Sequence, residues 1–132
     1  MAKHLAIYTA KALDEIFSGR QKIDGRFSKI KIAPFLAVSA DDIVLMKLSG
    51  EKIVGQFIVD RVLYFDHPRR EELETLAAKY KKELKIAQNF WLQHEVVNYA
   101  SLIFIREVSK FIVPPEVPKK DLRPWVVLES GI

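Results

Sequence analysis

The sequence predicts an α+β fold: a small mixed β-barrel, partly closed, of about five or six strands with two or three flanking helices. Three observations lead there. Short apolar segments recur at residues 5–8, 23–32, 43–48, 52–65, 99–108 and 125–128, bounded by Gly, Pro, Asp and Ser. Two intervening stretches carry apolar residues at helical spacing instead. One segment, 52–65, is apolar in both parities, as a central strand covered on both sides would be.

The elements run in order along the chain. Residues 5–8 form a short strand, and Thr9 caps a helix whose Leu13, Ile16 and Phe17 share one face. Ser18-Gly19 closes that helix with a left-handed glycine. In the next strand Ile23 and Phe27 share one parity, while Lys22, Asp24, Arg26 and Ser28 share the other. After Ser28 the apolar parity flips to Ile30 and Ile32, which demands a bulge or bend near Ser28 before Pro34 ends the segment. Asp41-Asp42 leads into a strand at 43–48, Ser49-Gly50-Glu51 turns, and 52–65 returns as the long strand, with Gly55 a kink. Asp66-His67-Pro68 opens the main helix, with a stripe of Leu73, Leu76, Ala77, Tyr80 and Leu84. Its acids Glu71, Glu72 and Glu74 precede its lysines 79, 81, 82 and 85, which suits the helix dipole. A second helix is expected over 88–98, then strands at 99–108 and 125–128, joined by a loop punctuated by Pro114, Pro115 and Pro118.

A chain of 132 residues, 49% hydrophobic, fits one domain spanning 1–132 with a real core. It has no cysteine, which excludes disulfides, thiolate metal sites and cysteine nucleophiles and fits a reducing compartment. No apolar run approaches the roughly 20 residues of a membrane span, and the first 17 residues lack the apolar core of a signal peptide. The expectation is a cytoplasmic protein with no membrane partner.

Charge is concentrated in one place. Residues 19–31, GRQKIDGRFSKIK, hold five of the chain's 21 bases and one of its 17 acids, an excess equal to the whole formal charge of +4. The cations are Arg20, Lys22, Arg26, Lys29 and Lys31. A neutral body with one cationic strand suits an anion such as phosphate, although a charge-rich strand is also an ordinary solvated face. Asp24 and Arg26, two apart, share a strand face. They can form an ion pair that orders a cleft, or Arg26 can grip phosphate while Asp24 accepts from a base amino group. Trp91, Tyr99 and Trp125 are either stacking surfaces for bases or core residues.

Catalytic and metal motifs are thin. His94-Glu95-Val96-Val97-Asn98 imitates a zinc-protease helix but lacks the second histidine, and only His4, His67 and His94 exist. No metal or cofactor is expected. There is no Gly-rich phosphate loop and no nucleophile elbow.

The helix-to-strand run FSGRQKIDGRF resembles the signature of ASCH domains, in the PUA-like superfamily, with Gly19, Asp24 and Arg26 in its Gly, acid and Arg positions. DDIVLMKLSGEKIVGQFIVDRV, YASLIFIREV and RPWVVL resemble the later hairpin and C-terminal strands of the family. The resemblance implies a small β-barrel with packed helices and RNA binding in a cleft beside the motif; other members are coactivator-like modules, nucleases or acetylcytidine hydrolases. Gln21 stands where the family's lysine is usual and Asp24 replaces a longer Glu. Both departures count against hydrolysis: a neutral amide cannot take a proton, and Asp24, though it could be a base, does not match the chemistry the resemblance implies for the acetylcytidine hydrolases.

The leading expectation is therefore an RNA- or nucleotide-binding domain whose basic cleft is lined by Lys22, Asp24, Arg26 and Lys29. One alternative is a small hydrolase or nuclease using Asp24 with Lys22 or Glu72. The other is a protein-interaction module that presents the basic strand to an acidic protein partner.

Overall fold

The computed structural model describes residues 1–85, 96–117 and 123–129. In chain order these form β1 (Lys3–Tyr8), α1 (Ala10–Phe17), β2 (Ile23–Ser28), β3 (Ile43–Leu48), β4 (Ile53–Asp66), α2 (Arg70–Lys79), α3 (Lys81–Leu84), β5 (Tyr99–Lys110) and β6 (Trp125–Glu129). The six strands make one mixed sheet in the order β2-β5-β4-β3-β1-β6. Only β1 and β3 pair in parallel; the other four pairings are antiparallel. β2 and β6 are the two edges, yet the guanidinium carbon of Arg26 on β2 lies 5.1 Å from the ring centroid of Trp125 on β6. Edges can meet across four intervening strands only if the sheet curls, so the architecture is a half-barrel with an open seam between β2 and β6. The six strands and three helices are the α+β barrel the sequence predicts.

The start of the chain folds for local reasons. Thr9 Oγ1 accepts the Ala12 N–H at 3.1 Å, satisfying one orphan donor of α1. Leu13 and Ile16 turn inward, and Gly19, at φ +80°, exits in the left-handed region. The Gln21 amide then donates to the Ile23 carbonyl at 3.0 Å, so this neutral residue ties down the exit into β2.

The flip of apolar parity after Ser28 is resolved by a bend. β2 stops at Ser28 and the chain turns at Lys29-Ile30. The strand therefore does not run on to Pro34, and Ile30 and Ile32 are 63% and 41% exposed rather than inward. The bend is pinned from the far side: the Asn98 N–H donates to the Ser28 carbonyl at 3.0 Å, and Asn98 Nδ2 to the Lys29 carbonyl at 2.9 Å. That duty also corrects the C-terminal end of the helix expected over 88–98. Residues 88–95 lie outside the described residues, and residues 96–98 are not helical.

β4 is central, as its composition implies, but not as one regular strand. Opposite β3 the register shifts between Met46 and Lys47, and opposite β5 it shifts twice, once where Asp60 is an extra residue on β4. Each extra residue reverses the facing of the strand beyond it. Phe57, Val59 and Val62 thereby reach the same core inside the curl, whereas strict alternation would have put Val62 opposite the other two. Gly55 is needed where β4 meets α1, because a Cβ there would lie 2.5 Å from the Ser109 carbonyl oxygen and 2.7 Å from the Phe17 ring.

The main helix breaks at Tyr80 into α2 and α3 and keeps its stripe across the break. Leu73 packs on Val97 and Ala100, and Leu84 on Ile23 and Leu102. The core inside the curl is built from Ala6, Tyr8, Ile16, Val44, Phe57, Ile103 and Trp125.

Candidate nucleic-acid interface

The seam is bridged by side chains rather than backbone. Period two places Asp24 and Arg26 on the concave face of β2, and likewise His4, Ala6 and Tyr8 on that of β1. Arg26 grips Asp24 in a fork, Nε to Oδ1 at 2.9 Å and Nη2 to Oδ2 at 3.2 Å, and Nη2 also reaches the Ile7 carbonyl at 3.3 Å. The Tyr8 hydroxyl donates to Asp24 Oδ2 at 2.7 Å. The guanidinium lies 4.8 Å from the Tyr8 ring centroid and 5.1 Å from that of Trp125, so two aromatic rings hold it.

This cluster is buried, and its electrostatics result from that. The side chains of Asp24 and Arg26 are 6% and 18% exposed. Burial works against the charge of Arg26, but the adjacent Asp24 carboxylate outweighs it, so the guanidinium is held charged more firmly than an ordinary arginine. Burial pushes the Tyr8 hydroxyl well above its ordinary value, and the Asp24 charge adds to the rise. Tyr8 is thus a proton donor to Asp24, and both carboxylate oxygens are engaged.

Behind Trp125 runs a second chain of bonds. The Trp125 indole Nε1–H donates to His4 Nδ1 at 3.1 Å, and His4 Nε2 contacts Asp42 Oδ2 at 2.8 Å. An indole nitrogen only donates, so His4 Nδ1 must accept and Nε2 carries the proton toward Asp42. Asp42 also receives the Ala2 N–H at 2.8 Å and the Ser39 N–H at 3.0 Å. Burial opposes its charge, but those backbone donors and His4 prevail and hold its carboxyl below the usual value.

A cleft of about 280 Å³ opens at the seam, lined by Gly25, Arg26, Phe27 and Ser28 of β2, the loop residues 32–35, Ser101, Arg123, Pro124 and Trp125. Its size sits at the lower end of small-ligand pockets, enough for one compact planar group rather than a strand. Nε and Nη2 of Arg26 are taken up by Asp24 and the Ile7 carbonyl, the Tyr8 hydroxyl also interacts with the guanidinium, and the same side chain lines the cleft.

The structure separates the sequence candidates. Arg26 and Trp125 line the cleft, with Asp24 directly behind Arg26. Lys29 and Lys31 are exposed on the loop between Ser28 and Ile32, which both line it. Arg20 lies at the helix exit, paired with Glu15 at 3.0 Å and Asp14 at 2.9 Å. Lys22 is exposed at the opposite end of β2, where its N–H meets the Glu83 carbonyl. Glu72 accepts the Arg69 N–H at 3.0 Å as the cap of α2. Trp125 is 2% exposed, a core residue lying against Arg26 rather than an open stacking surface. Tyr99 packs on Phe35 and His67, with ring centroids 4.9 and 5.1 Å away, behind the cleft wall. Trp91, like His94, lies outside the described residues. Among the described residues no group of three His, Asp or Glu side chains could hold a metal ion, and no helix is long and apolar enough to cross a membrane.

Sequence reasoning missed Tyr8, His4, Asp42, Phe35 and Arg123. A signal exists for the first two: the strand period puts His4, Ala6 and Tyr8 on one face, although the apolar run itself begins only at Leu5.

No family model matches the chain, and no curated protein matches it in sequence. Solved structures do match. The ASCH protein of Zymomonas mobilis aligns with a TM-score of 0.69 at 13% identity, covering 97% of this chain and 88% of that one. A tyrosine-to-phenylalanine variant of it aligns at 0.71 and 13%, covering 98% and 91%. A serine-to-alanine variant aligns at 0.72 and 12%, covering 97% and 89%. Across nearly its whole length, and as the resemblance at residues 17–27 implies, this chain has the fold of an ASCH domain.

Proposed function

We propose that the chain binds single-stranded RNA by taking one nucleotide unit into the seam cleft between β2 and β6. The observation that carries this reading is the cleft floor: a buried arginine, fixed by Asp24, Tyr8 and Trp125, that also lines the cleft. A guanidinium immobilised before binding loses little entropy on binding. Asp24 cancels the charge of Arg26, so the floor favours a planar acceptor such as a base carbonyl over a naked phosphate. Phosphates are left to Lys29 and Lys31 at the lip, exposed on the loop beside the cleft. Base inside and backbone outside is the usual arrangement for unpaired RNA. Asp24 has both oxygens engaged and neither Lys22 nor Glu72 among its partners, which favours binding over proton abstraction.

The test is fluorescence anisotropy with short single-stranded RNA, the matching duplex and single-stranded DNA. Single-stranded RNA is expected to bind most tightly. Two phosphates neutralised at the lip give a slope of log K against log salt of about −1.4. Arg26→Lys, which keeps the charge but loses the fork, is expected to weaken binding by roughly 1–3 kcal/mol, and Lys82→Ala to change it little. Equal losses from both substitutions would indicate diffuse attraction without a site, and no binding at low salt would end the proposal.

A further inference from the structure

Trp125 and Arg26 meet because something holds the indole. The ring is buried at 2% exposure and its N–H has one acceptor among the described residues, His4 Nδ1 at 3.1 Å. His4 is wholly buried, its ring centroid 5.6 Å from that of Trp125 at an interplanar angle of 56°. Such a tilted approach lets the indole N–H point at a ring nitrogen instead of stacking on it. His4 is itself aimed by Asp42, 3% exposed, whose carboxylate is also held by two backbone donors.

We propose that His4 and Asp42 are positioning residues for the cleft: Asp42 orients His4, His4 accepts the indole N–H of Trp125, and the indole so held seats the guanidinium of Arg26. The chain of contacts is continuous, from Asp42 through His4 and Trp125 to Arg26, Asp24 and Tyr8. It links the approach to β3 with β1, β6 and β2, so it staples both edges of the seam. Without the acceptor, the indole N–H would be buried and unbonded, which costs more than the bond itself contributes. The ring would then turn toward another acceptor or toward water, and either movement takes its face off Arg26. The consequence for RNA rests on the binding reading above; the placement of Arg26 does not.

The chemistry of glutamine separates positioning from mere packing. Its amide offers one acceptor atom and one donor atom, as the neutral imidazole does, whereas phenylalanine offers neither. Purified His4→Gln and His4→Phe are compared with wild type by nitrogen-edited NMR without ligand. The signals tracked are the indole N–H of Trp125, assigned by its loss in Trp125→Phe, and the Nε–H of Arg26. Affinity for the same single-stranded RNA is measured alongside. In His4→Gln the indole N–H is expected to stay protected from solvent exchange, and affinity to stay within about twofold. In His4→Phe the indole N–H exchanges freely, the Arg26 signal shifts, and affinity falls roughly tenfold, the order of one lost hydrogen bond. If His4→Phe does not fold, His4→Asn, polar but too short to reach both partners, carries the same expectation.

A folded His4→Phe with the indole N–H and Arg26 signals of wild type would overturn the proposal. So would a His4→Gln that loses protection as fully as His4→Phe. If the ligand-free signals respond as expected while wild type binds no RNA, the positioning stands and the RNA reading falls.

Discussion

Replacing Asp24 by alanine should be among the most damaging single changes in the chain. The substitution removes both fork bonds of Arg26, at 2.9 and 3.2 Å, and leaves a guanidinium that is only 18% exposed with the Ile7 carbonyl and two ring faces. Breaking a buried pair from one side strands the other charge and costs roughly 3–5 kcal/mol. At about 2.1 cal/mol/K per residue, the unfolding entropy of a chain of 132 residues is about 0.28 kcal/mol/K. The melting temperature should therefore fall by about 11–18 °C. Calorimetry on Asp24→Ala, Arg26→Met and the double variant completes the test. Removing both charges leaves no charge stranded, and the Tyr8 hydroxyl loses its acceptor in both variants alike, so the double variant should melt above Asp24→Ala, with a coupling of at least about 1.5 kcal/mol. A fall of under about 4 °C for Asp24→Ala, near 1 kcal/mol, would mean that the pair behaves as an exposed one. The positioning of Arg26 by Asp24 would then be refuted.

Three further outcomes are expected from substitution and one from pH. Gly55→Ala forces its Cβ to within 2.5 Å of the Ser109 carbonyl oxygen and should cost about 1–3 kcal/mol in urea unfolding. Gly50→Ala meets nothing within 4 Å and should cost only the left-handed strain at φ +76°, about 1 kcal/mol. Tyr8→Phe removes the 2.7 Å bond to Asp24 and should destabilise by about 1.5–3 kcal/mol, the range for a bond to a charged acceptor, read as a shift of the urea midpoint at constant slope. The carboxyl of Asp42 is depressed in the folded state, so its stabilising contribution is complete above the unfolded value, about 3.9, and is lost as pH falls through the folded one. The melting-temperature gap between wild type and Asp42→Asn should hold from pH 7 down to about 5 and then close toward acid; a gap that widens toward acid would contradict that sign.

Local features of this fold were legible in the sequence because local physics sets them. Thr9 caps α1, Gly19 ends it, and Asp24 and Arg26 share a face because strands have period two. The parity flip after Ser28 foretold a bend, which the structure has. It did not foretell that Ile30 and Ile32 would lie in solvent, since alternation alone cannot distinguish a strand face from a lip. The long strand β4 is apolar in both parities, and extra residues such as Asp60 move the parity within it. A bulge leaves no periodic trace when both parities are apolar. The cleft was half legible. Its arginine and acid came from one short motif, but the residues that hold them are brought in by pairings 16, 38 and 121 positions apart, which no local pattern encodes.

That last separation has a kinetic consequence. His4 and Trp125 belong to strands whose pairing closes a loop of about 120 residues, so the entropy of that closure is met only once the rest of the sheet can offset it. The β3–β4 hairpin and the β4–β5 ladder can form before it. The seam cleft is then among the last parts of the molecule to assemble and the first to open. Positions of that kind govern how fast a protein unfolds and barely touch how fast it folds. Whatever settles between β2 and β6 would act as a latch on an already finished barrel, lengthening the lifetime of the native state without hastening its arrival.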